Sequence, residues 1–223
     1  MRLKLIFLFV SLSFFSCKNE QKPIEPKKEL TPAERIAEAH GFSKWDQVTK
    51  IEFTFSVIRG DSEFSRSWVW EPKSDNIIAM SETDTLRYNR SSLDSISMSA
   101  DRGFINDKYW MFVPFQMMWD DGLSLSEPIR ESSPVNQKEL NKITLTYGDD
   151  GGYTPGDAYD IYYNDDYMIE EWIFRKSNMP EPSLVCTFES YQDFGGLLIA
   201  TEHKKPNEDW NLKFKNIKVS WTN

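Results

Sequence analysis

From Ile51 onward, apolar and polar residues change places at every second position: Ile51, Phe53, Phe55 and Val57 alternate with Glu52, Thr54 and Ser56. Period two is the spacing of a β-strand with one wet face and one buried face, so something else in the chain must cover that buried face. Arg59-Gly60-Asp61-Ser62 reads as a hairpin turn, and the returning strand puts Phe64, Arg66, Trp68 and Trp70 on one face. Short strands are expected at 76–81 and 85–89, and five more at 142–147, 158–164, 168–175, 184–191 and 197–203. A last one at 212–221 loses phase near Asn216, the mark of a bulge. The connections are short and polar, with no room for crossover helices, so the strands should run antiparallel.

Two segments break the alternation. Thr31-Pro32-Ala33-Glu34 starts a helix, with Thr31 as N-cap, Pro32 in the first turn and Glu34 closing a capping box; Gly41 stops it. His40 falls in its last turn, where a partly charged imidazole would suit the helix dipole. A short turn then places Trp45 for packing. The second segment, 106–119 (NDKYWMFVPFQMMW), is the most apolar run beyond the leader. Asn106 can cap a helix there, and Pro114 must kink or break it. Apolar on all sides, this segment should be buried against the sheet.

The first residues read as an address. Arg2 and Lys4 precede an apolar run, Leu5 to Phe15, too short to span a bilayer as a helix and of the length of a secretory leader. It ends at Ser16-Cys17, which resembles the lipobox of bacterial lipoproteins, in which the Cys becomes the lipidated first residue. The expected organisation is a signal peptide over 1–16, a lipidated Cys17 with a polar, Pro-punctuated tether over 17–30, and a single domain over 31–223. Lys18 after the Cys suits the outer membrane by the sorting habit of such lipoproteins. With Cys17 spent on lipid, Cys186 has no partner for a disulfide. Its strand-like setting makes it a small buried hydrophobe and not a nucleophile.

Composition excludes one class of partner. The chain has 26 Lys+Arg against 35 Asp+Glu and a net charge of −9. An acidic surface without clustered cations argues against nucleic acid. Eight Trp and 14% aromatic residues argue for a packed fold.

The order of features carries a resemblance. A capped helix ending in His40-Gly41, a Trp at 45, Trp68-Val69-Trp70 in a strand pair, the tract Asn106 to Phe115, and Tyr153-Thr154-Pro155-Gly156-Asp157-Ala158-Tyr159-Asp160 together resemble envelope lipoproteins related to the LolA/LolB lipoprotein-carrier superfamily. The resemblance spans roughly residues 31–221. It implies a mainly β (α+β) fold: a strongly curved antiparallel sheet, an open half-barrel of about 9–11 strands, with helices covering its concave face. It also implies a cavity for acyl chains. Being lipidated itself, the chain is more like the anchored acceptor than the soluble carrier, and carrier activity does not follow from fold alone.

No G-x-S-x-G, H-E-x-x-H, C-x-x-C or phosphate-loop pattern occurs. The acidic residues from Asp149 to Asp166 lack EF-hand spacing and are what tight turns use, and His40 and His203 lie far apart, so no metal or cofactor is expected. What remains is an aromatic and Met-rich set. Phe53, Phe55, Arg66, Trp68, Trp70, Trp110, Phe115 and Met118 are the candidate ligand-binding residues, with Arg66 stacking at the rim or meeting an anionic headgroup. The role expected of a membrane-tethered, monomeric protein of this kind is non-enzymatic binding of a lipid or other hydrophobic ligand in the concave cleft. The alternatives are a structural or interaction protein with a fully packed core and, third, a hydrolase whose site has no motif.

Overall fold

The computed structural model describes residues 29–149 and 154–222. The lipidation position Cys17, the leader and most of the tether lie outside these residues, as do Asp150 to Tyr153. Among the described residues, helix α1 spans Pro32–Ala39, α2 spans Ser95–Trp119, and the rest of the regular structure is thirteen strands and two short 3-10 turns, Phe42–Gln47 and Lys176–Asn178. These are β1 (Val48–Arg59), β2 (Ser62–Glu71), β3 (Asn76–Met80), β4 (Thr85–Asn89), β5 (Leu123–Leu125), β6 (Ile129–Ser132), β7 (Glu139–Tyr147), β8 (Ala158–Tyr163), β9 (Ile169–Arg175), β10 (Leu184–Thr187), β11 (Glu189–Asp193), β12 (Leu198–Lys204) and β13 (Trp210–Trp221). None of the described helices is long and apolar enough to cross a membrane.

The half-barrel expectation is overturned. The strands form two sheets: a seven-stranded one in the order β11-β12-β13-β1-β2-β3-β4, and a second in the order β10-β9-β8-β7-β5 with β6 also on β7. Neither is closed or strongly curled, and the fold is a mixture of helix and two open sheets. Two physical causes are visible. The run expected as one strand over 184–191 changes partner midway: up to Thr187 it pairs with β9, and from Glu189 it pairs with β12, with Ser190 at φ 55°. Between β4 and β5, moreover, the chain inserts α2, a rod of 25 residues and roughly 37 Å, where a curling sheet would need strands.

Every residue of α2 from Met111 to Met117 is buried, and two sheets supply what one cannot. Phe104 meets the edges of Trp68 and Trp70 on the first sheet at 5.5 Å. Tyr109 lies 5.0 Å from Tyr159 on the second. The helix begins eleven residues before Asn106, capped by Asp94, whose carboxylate accepts from the Ser97 amide at 2.7 Å. The Ser- and Gly-containing stretch from Ser95 to Gly103 hides this start from a reading by apolar spacing. Pro114 stays inside the helix. The strain appears at Phe112, where φ/ψ of −120°/28° leave the helical range, because proline offers no amide to the carbonyl of Trp110.

Several local readings hold. The Thr31–Glu34 capping box is formed in both directions, at 3.2 and 2.7 Å. The hairpin pairs Arg59 with Ser62. The bulge near Asn216 is real: Glu52 faces Lys218 while Thr54 faces Lys215, and Asn216 has φ 54°. Gly41 is required twice over. Its φ is 94°, and a Cβ there would lie 1.8 Å from the carbonyl oxygen of Gly196. That close approach lets the His40 carbonyl accept from the Leu198 amide and fastens α1 to the first sheet.

Candidate functional site

The eight candidate residues fall into three neighbourhoods. Phe53, Phe55, Trp68 and Trp70 share the inner face of β1 and β2, and none is more than 5% exposed. Phe53 and Phe55 both pack edge-on against Phe214 of β13. Phe115, 2% exposed, belongs to a cluster with Phe42, Trp45, Phe112 and Trp119. Trp110 turns the other way, 4.4 Å from Trp172 of β9 and 5.3 Å from His203 of β12. Met118 is half-buried against the same core.

Three surface grooves each take part of the set. One of about 380 Å³ between β2–β4 and the start of α2 is lined by Arg66 and Trp68. One of about 360 Å³ at the β1–β2 hairpin is lined by Phe55 and Phe64. A third, also about 360 Å³, lies between α2 and the second sheet and is lined by Trp110. Phe53, Trp70, Phe115 and Met118 line none of the three.

Arg66 stacks, as expected, 5.4 to 5.7 Å over the rings of Phe55, Phe64 and Trp68. Its main partner was not legible in the sequence. Both oxygens of Asp107 accept from its guanidinium at 2.6 Å, and one also accepts from the Trp68 indole at 2.8 Å. Asp107 is fully buried; burial pushes its carboxyl up, while Arg66, Asn106 and Trp68 pull it back. The forked pair ties α2 to β2. The only signal was an Asp two residues before Tyr109-Trp110, which a helix start explains equally well.

Both histidines are buried and neutral. Burial holds His40 down at about 4, against a slighter pull from the Ile36 carbonyl, so the charged last-turn imidazole expected from sequence is corrected to a neutral core residue. His203 is likewise pushed down to about 4, its Nδ1 donating to the Thr187 carbonyl at 3.0 Å. Burial pushes the Cys186 thiol up to about 12. This side chain is 0% exposed, so native protein should react with a maleimide at least about a hundredfold more slowly than unfolded protein. Fast native labelling would show that β10 opens freely. Among the described residues, no three His, Cys, Asp or Glu are grouped to hold a metal ion. Asp160 pairs with Arg175, and Asp165 with Arg130.

No protein-family model and no curated protein matches this chain. Solved structures do. A crystal structure of a LolA superfamily protein from Nitrosomonas europaea aligns with a TM-score of 0.50 at 11% identity, over 86% of this chain and 94% of that one. The fold is LolA-like. The likeness is one of fold, and this chain divides its strands between two sheets. Two further similar structures score lower. A DUF1329 family protein from Desulfovibrio piger reaches 0.45 at 12% identity, covering 86% of this chain and 94% of that one. A domain described as an outer membrane lipoprotein-sorting protein, from Vibrio parahaemolyticus, reaches 0.44 at 10%, covering 84% and 93%.

Proposed function

We propose that this chain is a non-enzymatic, lipid-anchored envelope protein that acts by contact with another envelope component, not by carrying a lipid within its core. The observation that supports this reading is the filled interior. Phe53, Phe55, Trp68, Trp70 and Phe115, the residues an acyl chain would need to touch, are each at most 5% exposed and packed ring against ring. The anchor is Cys17, on the strength of the leader before it, and Lys18 directs the protein to the outer membrane. It acts there as a monomer.

A second reading, an acyl-chain cleft opened by movement of α2, draws on the LolA-like fold and on one local feature. Beyond the Pro114 kink, Gln116 is fully buried, and neither its amide nitrogen nor its oxygen has a partner among the described residues. That half of the helix is the less well satisfied.

Native mass spectrometry of the Cys17→Ser protein, purified without detergent, separates the two. The expected result is an apo mass, no uptake of a fluorescent fatty acid at micromolar concentration, and release of this variant from membranes. A stoichiometric lipid adduct would establish the cleft. Retention in the membrane with the leader uncleaved would overturn the anchor.

A further inference from the structure

We propose that the groove between α2 and the second sheet is a binding site for a neutral saccharide. Of the three grooves, it alone has walls of stacked aromatic rings: Trp110, Phe174 and Leu184 form the accessible side, over a floor of Tyr109, Tyr159 and Trp172. The rings are tilted by 33–36° from one to the next along Phe174, Tyr159 and Trp172, at centroid spacings of 5.0 and 5.3 Å. Tyr109, Tyr159 and Trp172 are buried beneath, so the partly exposed Trp110 and Phe174 are the ring faces a ligand can meet.

The polar groups decide the ligand's chemistry. Asn106, Thr154 and Ser183 line the groove, and among the described residues no charged side chain does. Ser183 accepts from the Lys176 amide at 3.0 Å and keeps its hydroxyl proton to give. The Asn106 amide nitrogen donates to Asp107 at 3.0 Å, which turns its carbonyl oxygen into the group left for a ligand. Among the described residues an anion finds no cation here and a cation no carboxylate. An alkyl chain would cover the rings but leave unused the Asn106 carbonyl oxygen and the Ser183 hydroxyl proton, while Thr154 already bonds the Tyr159 hydroxyl at 3.2 Å. A pyranose satisfies both, with its C–H face on the aromatic platform and its hydroxyl edge toward Asn106, Thr154 and Ser183. A volume of about 360 Å³ is at the small end for a ligand pocket, which suits a short saccharide.

The test is titration of the full chain with cellobiose, maltose and diacetylchitobiose, and separately with laurate, followed by the indole resonance of Trp110 and the side-chain amide of Asn106. At least one disaccharide should shift both in a saturable way with millimolar affinity. Asn106→Ala should weaken that binding about tenfold, the loss of roughly one hydrogen bond, in protein that still melts cooperatively, with only the few degrees lost that its bond to Asp107 is worth. Ile96→Ala, in the groove beside Arg66, should leave it unchanged. If no disaccharide moves these signals, or if Asn106→Ala binds as well as the parent, the site is not a saccharide site. Laurate shifting Trp110 where the sugars fail would make it an acyl groove.

Discussion

Asp107→Ala should lower stability by about 3–5 kcal/mol, a fall in melting temperature on the order of 10 °C for a domain of this size. The carboxylate is fully buried and serves two donors at once, the Arg66 guanidinium and the Trp68 indole. Removing it leaves a cation facing apolar rings and a buried indole N–H with no acceptor. Arg66 is still 29% exposed, which places the loss toward the lower end of the range, since water reaches part of the orphaned charge. The decisive variant is the double one. Arg66→Met with Asp107→Leu replaces the pair by apolar volume and should recover most of the loss, because the attraction between the two charges roughly offsets their desolvation. If Asp107→Ala unfolds no more easily than the parent, the pair does not fasten α2 to β2.

Acid should destabilise the protein well above the usual carboxylate range. His40 and His203 each sit near 4 in the folded protein, pushed down by burial, against 6.5 for the free side chain. Between about pH 4 and 6.5 the unfolded chain therefore binds more protons than the folded one, and stability rises with pH across that interval. The contribution of each neutral imidazole is complete above 6.5 and is lost progressively as the pH falls toward 4. By pH 4 the loss is about 3 kcal/mol per histidine, since each tenfold difference in proton affinity between the folded and unfolded chain is worth about 1.4 kcal/mol. Urea unfolding at pH 7.5, 6, 5 and 4.5 measures it. His203→Gln should remove about half the slope between 6.5 and 4.5. A stability that stays flat over that interval would mean at least one imidazole reaches water.

What was legible in the sequence was what depends on neighbours in the chain. Thr31 and Glu34 are three residues apart, Arg59 and Ser62 likewise, and the bulge at Asn216 shows as a change of phase within one strand. What was not legible depends on which distant strand comes alongside. The single run over 184–191 has unbroken strand character, and only the competition of β9 and β12 for its two halves divides it between sheets. The candidate site failed for a related reason. Trp110 and Phe115 are close in sequence, but five residues along a helix turn them to different sides, and each found a sheet or helix to pack on. Likewise nothing in the sequence marks Asp107 as Arg66's partner, because that pairing is set by the docking of α2 on β2.

The first sheet is held together at its middle by β1 and β13, which pair from Val48 with Trp221 to Arg59 with Trp210. These are the first and last strands of the domain, separated by nearly its whole length in sequence. While the chain is being made, β1 and the β2–β4 meander behind it have no neighbour on one side, and β11–β12 have none on the other. The sheet cannot close its centre until Trp221 has left the ribosome. Contacts between such distant positions form late and slowly. For a chain with the export leader proposed above, this order of assembly is useful in itself: it delays the native state until β13 has been made and so leaves the preceding polypeptide threadable through a translocation channel.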